Sequence, residues 1–137
     1  MAEIRVATKA LILYNKRALI IQRSNYCGVG ENDWEFAGGV LKFGEDLLDG
    51  LSREVKEEVG LTVRINKLLY AISRLVSPQR QIVGLTYLCY ADTDMVVLSD
   101  EHINYLWATR EQLEELLTKL MLDDLSFNSV LEQLDII

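Results

Sequence analysis

The stretch Gly39-Val40-Leu41-Lys42-Phe43-Gly44-Glu45-Asp46-Leu47-Leu48-Asp49-Gly50-Leu51-Ser52-Arg53-Glu54-Val55-Lys56-Glu57-Glu58-Val59-Gly60-Leu61 decides the fold. Over residues 46–59, Leu48, Leu51, Val55 and Val59 recur three and four apart, the spacing of one buried helical stripe. Glu45 and Asp46 suit the positive end of a helix dipole, and Gly60 supplies the left-handed residue on which helices commonly stop. Glu54, Glu57 and Glu58 fall within an arc of about 100°, centred about 110° from the apolar stripe. Like charges placed this way cost a helix about a few tenths of a kcal/mol per i,i+4 pair. A divalent cation would neutralise them, and Mg²⁺ takes hard oxygen ligands while leaving positions for water and phosphate oxygens. Arg53, four residues before Glu57, is placed to fix one carboxylate. Gly50 lies on the acidic arc, where a side chain would obstruct close approach. Three glutamates alone more often make a solvated face, so the spacing around them has to carry the assignment.

Outward from this helix the chain reads as alternating strands and turns. Residues 4–14 form a strand, Asn15-Lys16 a turn and residues 18–21 a second strand, which makes a hairpin. Residues 24–33, with Gly28 and Gly30, read as a loop, and residues 34–36 as a short strand broken by Gly38-Gly39. Residues 61–76 and 81–91 are rich in β-branched and aromatic side chains and flank Ser77-Pro78-Gln79, so they make two long strands joined by a turn. A short strand over 104–108 follows. Thr109 then caps a helix from Arg110 to about Leu120, with Glu111 and Gln112 in its first turn. Residues 126–134 read as another short helix. This mixture predicts a layered α/β structure in one domain, residues 1–137.

Composition limits the functions open to it. Of 137 residues, 50% are hydrophobic and 26% charged, enough for a core without disulfide or metal staples. A net charge of −7 argues against duplex DNA or structured RNA as partner, since those need a basic face. It is compatible with a small anion bridged by cations to carboxylates. Cys27 and Cys89, without CxxC spacing, read as reduced thiols. Arg5 and Lys9 interrupt the first residues, so no signal peptide is read, and no apolar stretch approaches the roughly 18 residues of a membrane span. A cytoplasmic protein is expected.

The wider spacing is G-x5-E-x7-R-E-U-x-E-E-x-G-U, where U is bulky and apolar, met at every specified position from Gly39 to Leu61. A chance match is on the order of one in ten million. By this motif, and by Trp34-Glu35-Phe36-Ala37-Gly38-Gly39 before it, the chain resembles the Nudix hydrolase family. The resemblance implies a mixed β-sheet sandwiched between helices and hydrolysis of the diphosphate link of a nucleoside diphosphate derivative. It implies Glu54, Glu57 and Glu58 as ligands of Mg²⁺ or Mn²⁺, joined by the carbonyl oxygen of Gly38. It implies Arg53 as holder of a glutamate and Glu45 as structural. It points to Glu101, six residues before Trp107, as a further ligand or general base, with Asp100 as nearest rival. Arg23 is a candidate phosphate clamp by its fork geometry, or a strand-end charge. His102 reads as a surface residue.

Two departures stand out: Ala37 where the family commonly has proline, and Gly50-Leu51 in place of two alanines. Neither removes a catalytic group. A nucleoside triphosphate pyrophosphohydrolase of MutT type is the first reading of the substrate, and an ADP-ribose or nucleotide-sugar pyrophosphatase the second. An inactive Nudix-like binding module would predict a broken box. The resemblance also allows a homodimer.

Overall fold

The computed structural model describes residues 1–24 and 30–137. Its organising element is β1 (Glu3–Tyr14), which carries four buried residues in succession, Ala10 to Leu13. A strand buried on both faces reads as a continuous apolar run. Along one edge, β1 runs parallel to β6 (Arg80–Ala91), from Glu3 against Arg80 to Leu13 against Tyr90. β5 (Val63–Ser77) pairs antiparallel with β6 on the outside.

On its other edge β1 changes partner. Asn15 and Lys16 both have positive φ, 50° and 62°, the two-residue turn whose twist suits a hairpin. That turn joins β1 to β2 (Arg17–Arg23), with Leu13 facing Ala18 and Tyr14 facing Arg17. Towards the start of β1, the segment 34–40 lies against both strands. β3 (Trp34–Glu35) pairs with β2 and β4 (Ala37–Val40) pairs with β1, and buried Phe36 marks the changeover. β7 (His102–Ala108) runs antiparallel along β2.

Alternation along the strands sorts the core into two layers. Leu11, Leu13, Ala18 and Ile20 pack with Leu113, Leu117 and Leu125 from α2 (Arg110–Leu116), its end and α3 (Lys119–Phe127). Ala10, Ile12, Leu19 and Ile21 pack with Leu51, Val55 and Val59 of α1 (Leu47–Val59). The expected mixed sheet between helices is therefore present. No helix among the described residues is long and apolar enough to cross a membrane.

Three expectations need correction. The helix expected to run from Arg110 to about Leu120 stops at Leu116. There Leu117 turns extended and bridges Trp34, while the Thr118 side chain accepts from the Met121 N–H and starts a new helix. The helix expected over 126–134 is the last turn of α3 followed by a 3-10 turn, Leu131–Gln133. Leu48 is not in the buried stripe but 45% exposed. On the acidic side Gly50 is buried instead, and Leu41 and Glu45 close on it so tightly that a Cβ would lie 2.7 Å from Leu41 Cδ1.

Candidate active site

The helix bearing the glutamates is anchored before it begins. The Lys42 N–H donates to Glu45 Oε1 at 2.9 Å, and the Leu48 N–H donates to the Asp46 carboxylate, the N-cap, at 3.0 Å. At the far end the Gly60 N–H returns to the Lys56 carbonyl, with Gly60 at φ 72°. Between these caps Arg53 organises the acidic face. Its Nε and Nη2 grip Glu45 at 2.6 and 2.9 Å, and its Nη1 donates to Glu54 at 2.9 Å and to Glu57 at 3.2 Å. Hydrogen bonding by Glu45 raises the Arg53 pKa, and Arg53 together with the Lys42 N–H holds the Glu45 carboxyl at about 2. One guanidinium thereby orients three carboxylates.

Two of the three candidate ligands meet the two glycines of β4. A Cβ on Gly39 would lie 2.6 to 2.9 Å from the Glu54 carboxylate group. The Gly38 N–H donates to Glu58 Oε1 at 2.8 Å. Gly38 itself has φ 141°, and a Cβ there would lie 2.0 Å from the Thr8 carbonyl oxygen, so β1 forbids any side chain. The carboxylates are not equivalent. Glu57 is exposed at 56% of its side chain, whereas Glu58 is buried. Burial raises the Glu58 carboxyl, with the Gly38 N–H acting in the opposite sense. Glu101, from the loop before β7, joins them: an oxygen of Glu58, one of Glu101 and a ring nitrogen of His102 lie within 4.8 Å of one another. Asp100 is not in this group. A set of carboxylate oxygens meeting at a strand too crowded for side chains fits Mg²⁺ or Mn²⁺.

Next to the glutamates lies a cluster that the sequence reading missed. Lys9 Nζ reaches Glu35 Oε1 at 3.4 Å and the Phe36 carbonyl at 3.3 Å. Arg23 Nη1 donates to Glu35 Oε2 at 3.1 Å, and His102 Nε2 lies 2.8 Å from the same oxygen. Burial alone would raise the Glu35 carboxyl. The His102 hydrogen bond and the charges of Lys9 and Arg23 prevail and hold it at about 2. His102 is thus not a surface residue, as its side chain is 0% exposed. The signals available were a lysine directly before the apolar run Ala10 to Leu13 and a glutamate between two aromatic residues. Arg23, the candidate phosphate clamp, sits on this cluster. Gly30 lies against its side chain, and Cys27 and Gly28 lie outside the described residues.

A cavity of about 180 Å³ opens beside Lys9 and Glu35. Its walls are Phe36, Tyr70, Ile72 and Met121, with Thr86 and Asp124 as polar groups. Asp124 is fixed by Arg74 at 3.0 and 3.4 Å. An apolar slot with a few held polar groups is the usual form of a small-molecule site.

A NUDIX domain family model matches residues 3–128. The chain is 38% identical over 66 residues to Nudix hydrolase 2 of Arabidopsis thaliana, covering 47% of this chain and 24% of that protein. It is 37% identical over 71 residues to an 8-oxo-dGTP diphosphatase of Buchnera aphidicola, covering 51% of this chain and 53% of that one. The chain therefore spans less than two thirds of the length of either relative. Among solved structures, a MutT protein from Methanosarcina mazei Go1 superposes with a TM-score of 0.83 at 25% identity, covering 93% of this chain and 94% of that one.

Proposed function

Since the chain belongs to the Nudix hydrolase family, we propose that it hydrolyses the phosphoanhydride of a nucleoside diphosphate derivative, with a nucleoside triphosphate as first choice. Water attacks one phosphorus, and the products are a nucleoside monophosphate and pyrophosphate. The observation that carries this reading is the meeting of Glu54 and Glu58 with the bare backbone of Gly38 and Gly39. Glu54, Glu57, Glu58, Glu101 and the Gly38 carbonyl oxygen would hold Mg²⁺ or Mn²⁺. Bound there, the metal lowers the pKa of the attacking water and offsets charge on the phosphates and leaving oxygen.

The chain's own residues divide the remaining work. Arg53 holds Glu54 and Glu57 in place. Arg23, turned towards Glu35, takes a phosphate oxygen. The water's proton passes to one of Glu57, Glu58 and Glu101. The slot between Phe36, Tyr70 and Met121 receives the nucleobase, with Asp124 as acceptor for its N–H groups. This favours a substrate with one base beside its phosphates. In the same reading residues 1–137 act as one domain on small nucleotides in the cytoplasm.

A panel of nucleoside triphosphates, ADP-ribose and nucleotide sugars, assayed with Mg²⁺ for phosphate and pyrophosphate release, tests it. Pyrophosphate from a triphosphate is the expected product. Glu57→Gln should abolish turnover in a protein that still folds. Turnover unchanged by that substitution, or no hydrolysis of any compound in the panel, would return the chain to a binding module.

A further inference from the structure

Among the described residues, two side chains have ring or carboxylate atoms held for a purpose the oxygen-ligand reading does not use. His102 is the chain's only histidine and is completely buried at its side chain. Its Nε2 is held by Glu35 at 2.8 Å. Its Nδ1 is buried and has no hydrogen-bond partner. A buried nitrogen left unpaired costs about 1–3 kcal/mol, so something should engage it. With Nε2 donating its proton to the Glu35 carboxylate, Nδ1 is left with its lone pair outward, as an acceptor or ligand. A histidine fixed on one nitrogen by a carboxylate, with the other nitrogen free, is the arrangement that surrounds metal-bound imidazoles. One of its ring nitrogens shares a 4.8 Å group with an oxygen of Glu58 and an oxygen of Glu101.

We propose that His102 Nδ1 is a nitrogen ligand to a divalent cation shared with Glu58 and Glu101, positioned by Glu35. This rests on the cation-binding part of the function proposed above and narrows the class of metal. Mg²⁺ favours oxygen donors alone, while imidazole favours transition ions. The Glu58–Glu101–His102 site therefore favours first-row transition ions, Mn²⁺ included, over Mg²⁺. Glu35 acts through His102 by setting its tautomer and ring orientation. The ionic partners Lys9 and Arg23 keep Glu35 charged for that task.

The test is pulsed electron paramagnetic resonance of the tag-free full chain loaded with Mn²⁺, grown with ordinary or ¹⁵N-labelled histidine. With one histidine in the chain, a directly bound imidazole must give a nitrogen coupling that changes with the label. Mn²⁺ bound without such a coupling overturns the proposal, and so does a chain that binds no Mn²⁺. The labelled wild type needs no substitution, so misfolding of a variant cannot obscure the answer. Glu35→Gln should keep the coupling while weakening Mn²⁺ binding about 10–100-fold. His102→Gln, in protein shown to fold by circular dichroism, should weaken Mn²⁺ binding by a similar factor and Mg²⁺ binding much less. Equal losses for the two ions would count against a nitrogen ligand. The nucleotide panel is read separately. Hydrolysis without the coupling removes only this inference, and the coupling without hydrolysis removes only the proposed reaction.

Discussion

Gly38 and Gly39 are neighbours on one short strand, yet a single methyl group at each should do opposite things. At Gly38, with φ 141°, the new carbon would lie 2.0 Å from the Thr8 carbonyl oxygen and 2.8 Å from Lys9 Cα. Both are backbone atoms of β1, paired with β4 at that point, and neither can yield without breaking the ladder. Gly38→Ala should cost about 4 kcal/mol or more, within the range reserved for backbone clashes and strain, against a total stability of about 5–15 kcal/mol. At Gly39 the atoms in the way are those of the Glu54 carboxylate, 2.6 Å at the nearest, and ordinary contact begins at 3.4 Å. A side chain can withdraw that far, by roughly 0.8 Å, without moving the sheet. A shift approaching 1 Å in a positioning group costs roughly 100-fold in rate, about 2.7 kcal/mol of barrier. Gly39→Ala should therefore unfold in urea within about 1 kcal/mol of the wild type while kcat/KM falls about 100-fold. Urea melts of metal-free protein and steady-state kinetics on the best nucleotide of the panel give both numbers. Gly39→Ala with activity within threefold of wild type, or Gly38→Ala as stable as wild type, would refute the reasoning.

Other expectations follow from the charge cluster, the thiol and the caps. Glu35 is held at about 2 from an ordinary 4.5, so its depressed pKa adds about 3 kcal/mol of stability. That contribution is complete above pH about 5 and disappears as pH falls through about 2. Glu35→Gln should thus be destabilised by about that amount at pH 7 and by almost nothing at pH 2, which chemical denaturation across the range will show; a constant difference would remove Glu35 as the centre of the cluster. Burial pushes the Cys89 thiol up to about 12, so in a Cys27→Ser background the folded protein should not react with a disulfide reagent at pH 8 until denatured. Thr109 makes a capping box with Gln112, so Thr109→Ala should cost about 1 kcal/mol in a urea melt.

The helix, its caps and the identity of three acidic side chains were legible because they are local. Spacing, a first-turn acid and a terminal glycine are written in consecutive residues, and α1 follows them. The tight hairpin and the long β5–β6 pair were legible for the same reason. What was not legible arises from contacts between distant positions. Near Leu117 the one local sign of a break is Thr118, an N-cap residue that an unbroken helical pattern also tolerates. The bridge from Leu117 to Trp34 that goes with the break is a distant contact. Lys9, Glu35 and His102 come from three strands and meet only because β1 and β2 part and the segment 34–40 crosses between them. Leu48 matched the helical period but is left exposed in the first turn, while Gly50 on the acidic side is covered by Leu41 and Glu45 from the preceding loop.

The two-layer core has a consequence for how such a protein can change over time. The box glutamates ride on a helix packed against one face of the sheet, while Tyr70, Met121 and Asp124 belong to the other side or its border. Substitutions on opposite sides of a rigid sheet share few partners, so their free energies should add with little cross-talk. A lineage could therefore exchange the residues that recognise one base for those that recognise another while leaving the hydrolytic apparatus untouched, and drift between substrates would carry little penalty in chemistry.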